Sequence, residues 1–256
     1  MSRVYFSSAW AVAWRYLHNL YTKPAVFLPS LLFPLFFLAA FAGGLSAVGD
    51  APGFGYYDFT AFQFCFVLIQ ASALAGVFAG FSIAADFEQG MGRRMMLATT
   101  HRSAIVLGFA IGAASRLIVT WVVITGVALI GGMGVAGGPV NLAGMYSLAL
   151  LANVAALLFS SGIALRFRSL QAGPLMQMPV FIILFLAPVY VPQDLLSGWI
   201  EPAASVNPVT ALLNAARSLM AGEPTGVLGA FAVAAGLIVV MGIWSIRGLR
   251  RAETAG

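Results

Sequence analysis

The chain has 256 residues, of which 61% are hydrophobic and only 8% charged, and it carries a net charge of +5. Soluble proteins carry about 25% charged residues, about three times the fraction found here. Together with a mean hydropathy of +0.96, this low charged fraction excludes a soluble globular protein. The basic residues are dispersed in short segments rather than gathered in one patch, which argues against nucleic-acid binding. We therefore expect a single transmembrane domain over residues 1–256.

Five runs without any charged residue define the predicted spans; they cover residues 24–49, 59–85, 117–165, 169–193 and 224–246. A membrane helix needs about 20 apolar residues. The third run is too long for one span and breaks at the Gly- and Pro-rich stretch 131–139. The sequence therefore predicts an all-α membrane protein with six spans, at about residues 24–45, 59–85, 105–133, 142–165, 173–191 and 226–246.

The charged residues predict the orientation of these spans. With the N-terminus in the cytoplasm, 11 of the 13 basic residues fall in inside segments, and five of the eight acidic residues fall outside. Basic residues are enriched in cytoplasmic segments of membrane proteins, so we expect both termini to be cytoplasmic. We expect no secretory signal peptide, because the first long apolar run begins only after Lys23.

Residues 4–22 are predicted to form an amphipathic helix on the cytoplasmic membrane surface. Its apolar residues recur at helical spacing on one face, namely Phe6, Trp10, Ala13, Leu17 and Leu20. The helix would serve either as an anchor, which we favour from these residues alone, or as a docking element for a cytoplasmic partner.

A second helix is predicted just before the last span, where it would enter the outer leaflet only halfway. Asn207 is suited to cap its start, Pro208 to occupy its first turn and Gly222 to end it. We expect Arg217 to hold this helix at the lipid headgroups, and we favour these structural roles over contact with a substrate.

Few polar groups interrupt the spans. Gln63 and Gln70 in the second span need partners in hydrocarbon, so we expect them to face protein or a cavity. Arg116 lies at the start of the third span; we favour its reaching the interface or forming an internal ion pair over its being a buried functional charge. Cys65, the sole cysteine, is expected to pack as a small hydrophobic residue.

Several chemistries are excluded by missing residues. The sole lysine, Lys23, does not stand in a phosphate-binding Gly-x-x-x-x-Gly-Lys-Ser/Thr motif, so the chain has no ATPase site of this kind. No span contains Asp, Glu or His, which argues against an intramembrane protease, a metal site and proton-coupled transport. We expect a protein that is not itself an enzyme and takes its energy from another chain.

Two motifs resemble a known family, the permease subunits of type-2 ABC transporters, which include the daunorubicin-resistance permease. In the loop between the second and third spans the pattern is Glu88-x-Gly90-x-x-Arg93-Arg94-x-x-Leu97-x-Thr99, followed by Arg102. Near the C-terminus it is Gly198-Trp199-(x7)-Asn207-Pro208-(x8)-Arg217-(x4)-Gly222. The family often has Pro after the loop Thr, whereas Thr100 and His101 stand here.

The resemblance implies a dimer of permeases, of identical or different chains, in a bacterial inner (plasma) membrane. Two cytoplasmic ATPase subunits from a separate chain would bind ATP and Mg²⁺, while this chain holds no cofactor. The loop is expected to form a short amphipathic helix for the ATPase or, on the simpler reading, a solvated turn. The residues expected to couple to the ATPase are Arg15, Glu88, Gly90, Arg93, Arg94, Leu97 and Arg102.

The family resemblance also implies an exported cargo, and the aromatic first two spans suit a hydrophobic drug or antibiotic. A substrate cavity is expected at Phe33, Phe36, Phe62, Phe66, Gln63 and Gln70, although most of the Phe residues are expected to pack against lipid. Export of a lipid or a polysaccharide is the alternative within the family, and a membrane scaffold subunit that transports nothing is the alternative outside it.

Overall fold

The computed structural model describes residues 2–22, 24–98 and 103–254, and these residues form helices and loops with no strand among them. The α-helices are α1 (Ser2–Thr22), α2 (Pro24–Leu38), α3 (Phe59–Glu88), α4 (Met91–Ala98), α5 (Ser103–Ile130), α6 (Pro139–Phe167), α7 (Gly173–Phe185), α8 (Ile200–Ser205), α9 (Pro208–Met220) and α10 (Val227–Thr254). The all-α class predicted from composition is therefore confirmed.

Four of these helices are long and apolar enough to cross a membrane: α3, α5, α6 and the part of α10 over Val227–Arg250. The predicted first span corresponds to α2 and the helical turn Ala39–Gly43, and the predicted fifth span to α7. The apolar helices found there, Leu31–Gly43 and Leu170–Phe185, are shorter than the four above. One physical cause is visible at the second of these, because α7 ends before Pro188 and proline disfavours helix in the residue before it. The protein is thus a multi-pass membrane protein.

The centre of the molecule is α3, which is buried along most of its length. It packs against α6 through small residues, and a Cβ atom added to Gly80 would lie 2.5 Å from Oγ of Ser160. The same hydroxyl donates a hydrogen bond of 3.1 Å to the carbonyl of Gly76. The Gly76-xxx-Gly80 spacing permits this close approach, because a residue without a side chain lets two helix backbones meet.

α1 packs along the first half of α5 rather than standing apart from the bundle. A Cβ atom added to Gly108 of α5 would lie 2.6 Å from Cβ of Val12, so this glycine is needed for the contact. The face of α1 turned to α5 is made of small and medium residues such as Ala9 and Val12, while Phe6 and Trp10 are exposed. Ala13, a member of the predicted apolar face, is buried. The aromatic members of that face, Phe6 and Trp10, point away from the protein.

Arg116 is buried, with 3% of its surface exposed. It donates a hydrogen bond of 3.3 Å to the Tyr16 hydroxyl of α1, and its guanidinium lies 5.2 Å from the centre of the Phe78 ring. The expectation that Arg116 reaches the membrane interface is wrong. The helix α5 begins at Ser103, and α1 packs over the arginine through Tyr16.

Candidate functional sites at the two ends of the bundle

The charged residues gather at opposite ends of the helices. We call the end where α3, α6 and α10 finish the basic end; its arginines include Arg94, Arg166, Arg168, Arg247 and Arg250. The other end, with the loops before α3 and around α8 and α9, is the acidic end; its acidic residues are Asp50, Asp58, Asp194, Glu201 and Glu223. The separation of basic from acidic segments that the sequence predicts is therefore present in the folded molecule.

At the basic end, an ion pair between Arg15 and Asp86 joins α1 to the last turn of α3. Asp86 is mostly buried, and a charge in that position needs a partner of opposite sign. Arg15 was predicted as a coupling residue, whereas the role of Asp86 was missed. The sequence feature that could have identified Asp86 is that it is the first charged residue after the apolar run of α3.

The loop after α3 folds as the short helix α4, which confirms the helical reading over that of a solvated turn. Gly90, with φ +76°, provides the left-handed turn that leads into it. The Phe87 ring covers Gly92, where a Cβ atom would lie 2.6 Å from Cγ of that ring. Leu97 is 79% exposed. Arg94 is exposed as well, so α4 is attached to α3 on one side and open on the other.

Glu88 connects this region to the segment between α6 and α7. Its carboxylate accepts a hydrogen bond of 3.1 Å from the backbone N–H of Leu170. Arg168 in the same segment lies over the Phe87 ring at 5.7 Å. Of the other predicted coupling residues, Arg102 and the side chain of Arg93 lie outside the described part of the chain.

At the acidic end, Asn207 both caps α9 and holds α7. Its side-chain oxygen accepts a hydrogen bond of 2.9 Å from the N–H of Val209, which confirms the predicted cap. Its side-chain nitrogen donates to the Ile183 carbonyl at 2.6 Å, in the last turn of α7. Pro208 occupies the first turn and Gly222, with φ +81°, follows the end of α9, both as predicted.

Arg217 is buried, with 4% of its surface exposed, so the expectation that it reaches toward headgroups is wrong. It donates hydrogen bonds to the carbonyls of Pro188 (2.7 Å) and Val189 (3.3 Å), just beyond the end of α7. Its guanidinium also lies 3.3 Å from the centre of the Phe62 ring of α3. Buried carbonyl groups outside regular secondary structure need hydrogen-bond partners, and Arg217 supplies them to Pro188 and Val189.

The loop before α3 completes this arrangement with residues that sequence reasoning missed. The Tyr56 hydroxyl donates a hydrogen bond of 2.9 Å to the Arg217 carbonyl, and burial raises the pKa of Tyr56, so the hydroxyl stays protonated. Asp58 accepts hydrogen bonds from the N–H groups of Thr60 and Gly134. Asp58 could have been found from sequence, since Asp directly before an apolar run is a helix-capping signal.

Two cavities lie near these residues. An apolar cavity of about 160 Å³ lies where α3, α6, α7, α9 and α10 meet, and Ile69, Ala156 and Leu212 are among its walls. A larger, polar cleft of about 730 Å³ lies at the acidic end, where Arg217 and Asn214 contribute to its lining. The first is open only to apolar groups, whereas the second offers charges and hydrogen-bonding groups.

The six residues predicted to line a substrate cavity have separate surroundings. Phe36 is exposed, and Phe33 and Phe66 pack against the aromatic side chains of α7. Phe62 lies beneath Arg217 and is the member of the set that lines the polar cleft. Gln63 and Gln70 are fully buried, as expected, but their amide groups have no hydrogen-bond partner among the described residues.

A bundle of apolar helices with oppositely charged ends defines a multi-pass membrane protein. Residues 7–221 match the family model described as ABC-2 type transporter, and the chain therefore belongs to that family. A search of curated proteins found no significant match. The membership makes this chain an ABC-type permease, and the match includes the loop motif and all of the C-terminal motif except Gly222.

Proposed function

We propose that the chain is the permease subunit of an ATP-driven exporter that moves a hydrophobic drug or antibiotic out of a bacterial cell. It would act in the inner membrane with both termini in the cytoplasm and α9 half inserted in the outer leaflet. Two permease chains would pair with two ATPase subunits, which carry ATP and Mg²⁺. Membership of the ABC-2 type transporter family supports this proposal.

The observation that carries the proposal is the open face of α4 at the basic end. Arg94 and Leu97 project from it, a combination of charge and apolar surface suited to a soluble partner. The Phe87 ring of α3 packs on Gly92 of α4, and Glu88 at the end of α3 connects α3 to the α6–α7 segment. A partner that displaced α4 would therefore displace the core of the bundle, as an ATPase must do.

α3 gives this displacement a route to the other end of the molecule. It is one helix from Phe59 to Glu88, and its first turns contact Arg217 through Phe62. ATP binding to the partner would shift the permease between inward- and outward-open states only through different contacts in the two states. The contacts of α4 at one end and of Arg217 at the other are the ones we expect to change.

The apolar cavity supports a hydrophobic cargo over a polysaccharide. Its lining is almost wholly apolar, with residues such as Val180, Leu184 and Met241. An engineered protein cavity of about 150 Å³ binds benzene, so a space of about 160 Å³ fits one ring of an aromatic drug. Lipid export is the alternative, which drug-stimulated ATP hydrolysis by the assembled transporter would exclude.

The test is charge reversal on α4 with Arg93→Glu plus Arg94→Glu. We expect at least about tenfold less ATPase to co-purify with the permease, because like charges placed at an interface cost several kcal/mol. Drug efflux should fall in parallel while the amount of inserted protein is unchanged. Glu201→Lys, a charge reversal at an exposed residue of the acidic end, is the control and should alter neither readout.

Unchanged efflux in the α4 variant would contradict the coupling role. If the wild-type chain purifies from native membranes in mild detergent without any ATPase, the scaffold reading is favoured instead. Mass spectrometry of the co-purifying proteins separates these outcomes before any transport assay is needed.

A further inference from the structure

A third cavity, of about 570 Å³, lies at the basic end between α6 and α10. It is lined by Arg166 of α6 and by Trp244, Arg247 and Arg250 of α10. Ligand pockets commonly have volumes of about 300–1,000 Å³. Among the residues whose side chains the structure describes, the lining therefore consists of cationic and aromatic side chains around a space large enough for a small polar group.

The walls of this basic cavity are held in place by the packing of α6 on α10. A Cβ atom added to Gly248 would lie 2.8 Å from the carbonyl oxygen of Gly162, so the two backbones meet there. The Trp244 indole N–H donates a hydrogen bond of 3.1 Å to the Phe159 carbonyl. The Arg166 guanidinium lies 3.3 Å from the centre of the fixed indole ring. The contacts between α6 and α10 therefore fix the positions of the residues that line the cavity.

The chemistry of the lining selects an anion with several oxygen atoms. Guanidinium groups bind phosphate through pairs of parallel hydrogen bonds, and arginine is the preferred residue where phosphate is recognised. Arg166, Arg247 and Arg250 therefore fit a phosphate group.

The surface of α10 beside the cavity indicates which kind of molecule the phosphate group belongs to. Little of α10 is buried, and its exposed side is a stripe of apolar residues that includes Val239, Val240 and Ile243. Arg247 stands four residues after Ile243 and seven after Val240, so the basic cavity continues the same face of the helix. A molecule lying on this stripe would bring its charged end to the arginines.

We propose that the basic cavity binds the phosphate headgroup of an anionic phospholipid, with the acyl chains lying along the apolar stripe of α10. The proposal follows from the membrane location of the chain and does not depend on its being an exporter. Clustered Lys and Arg residues at a membrane surface attract anionic headgroups with about 1 kcal/mol each. The lipid belongs to the leaflet at which α10 finishes.

The test measures binding of phosphatidylglycerol to the purified full-length protein by native mass spectrometry. Arg247→Gln plus Arg250→Gln should weaken binding about 25-fold, or about fivefold for each charge removed. Arg94→Gln removes one charge from the same end outside the cavity and should change binding by less than about twofold. Phosphatidylcholine should bind weakly to all forms. Both substituted arginines are exposed, so folding should persist, and Arg247→Gln alone provides a milder second variant.

Three results would overturn the proposal. Equal phosphatidylglycerol binding by the double variant and the wild type would remove the arginines from any headgroup site. Inorganic phosphate that displaced the lipid at equal concentration would indicate a site for soluble phosphate. A change of oligomeric state in the double variant, with lipid binding unchanged, would show that a second copy of the chain covers this face.

Discussion

At the scale of single residues, the described chain has two contrasting kinds of buried polar group on α3. Ser72 is fully paired: its carbonyl accepts from Asn153 at 2.8 Å and its hydroxyl from Trp121 at 2.9 Å. Gln63 and Gln70 are equally buried, yet neither amide has a hydrogen-bond partner among the described residues. A buried amide without a partner costs free energy, and polar groups of this kind in membrane spans are commonly kept for function.

This contrast predicts opposite effects of the same type of substitution. Gln63→Leu and Gln70→Leu should each raise the free energy of unfolding by about 1–3 kcal/mol, because an unpaired amide is replaced by an apolar group of similar size. Asn153→Leu is the matched control and should lower it, since the Ser72 carbonyl loses its partner. Thermal unfolding in detergent measures all three variants. Destabilisation by both glutamine substitutions would show that the amides are paired in the folded protein.

At the scale of the helices, glycines decide which surfaces meet. α5 contains two kinds of glycine along its length. Gly108 lies against α1, where an added Cβ atom would meet the Ala9 backbone, whereas Gly126 has nothing within 4 Å of that position. The Gly108-xxx-Gly112 spacing marks Gly108 as a packing position, which Gly126 lacks, but the sequence does not say which helix packs there. Their different surroundings follow from the position of α1.

The two glycines predict a paired experiment on α1 packing. Gly108→Ala should lower the free energy of unfolding by about 1–3 kcal/mol, since the new methyl group overpacks the contact between α1 and α5. Gly126→Ala should be neutral or should stabilise by up to about 1 kcal/mol, because alanine favours helix over glycine. Thermal unfolding of both variants gives the comparison. Equal effects would mean that α1 does not pack on α5 in the native membrane protein.

At the scale of the whole molecule, α3 joins the two charged ends. Its last turn holds the ion pair between Asp86 and Arg15, and its first turns hold Phe62 beneath Arg217. The ion pair fixes α1 to the central helix at the end where α4 is open. Together with the packing of Phe87 on Gly92, this contact links α1, α3 and α4 at the basic end.

The ion pair predicts rescue by exchange of its charges. Arg15→Glu should destabilise the protein and reduce transport, because it places two negative charges together in a partly buried position. Arg15→Glu combined with Asp86→Arg should recover most of both. A double-mutant cycle should give an interaction free energy of about 0.5–3 kcal/mol. Additive effects of the two substitutions would show that the side chains act independently.

The sequence by itself determined the class of protein and the position of its long helices. Continuous apolar runs without charge predicted α3 and α6 to within a few residues, since a bilayer core requires helices of about that length. The start of α9 could also be predicted from the sequence, because Asn207 and Pro208 act on the helical turn directly beside them. The first and fifth apolar helices also begin at the predicted residues, Pro24 and Gly173, but the fifth ends at Phe185, ahead of Pro188 and before its predicted end.

Only the tertiary structure decided which polar residues meet. Arg15 and Asp86 are 71 residues apart, and Arg217 reaches Phe62 across 155. In an amphipathic soluble helix the apolar stripe reveals the buried face, but these spans are apolar all round, so their pattern leaves the rotation of each helix undefined. The rotations are set by close packing at small residues and by the pairing of the few buried charges, which places Arg116 and Arg217 inside the protein.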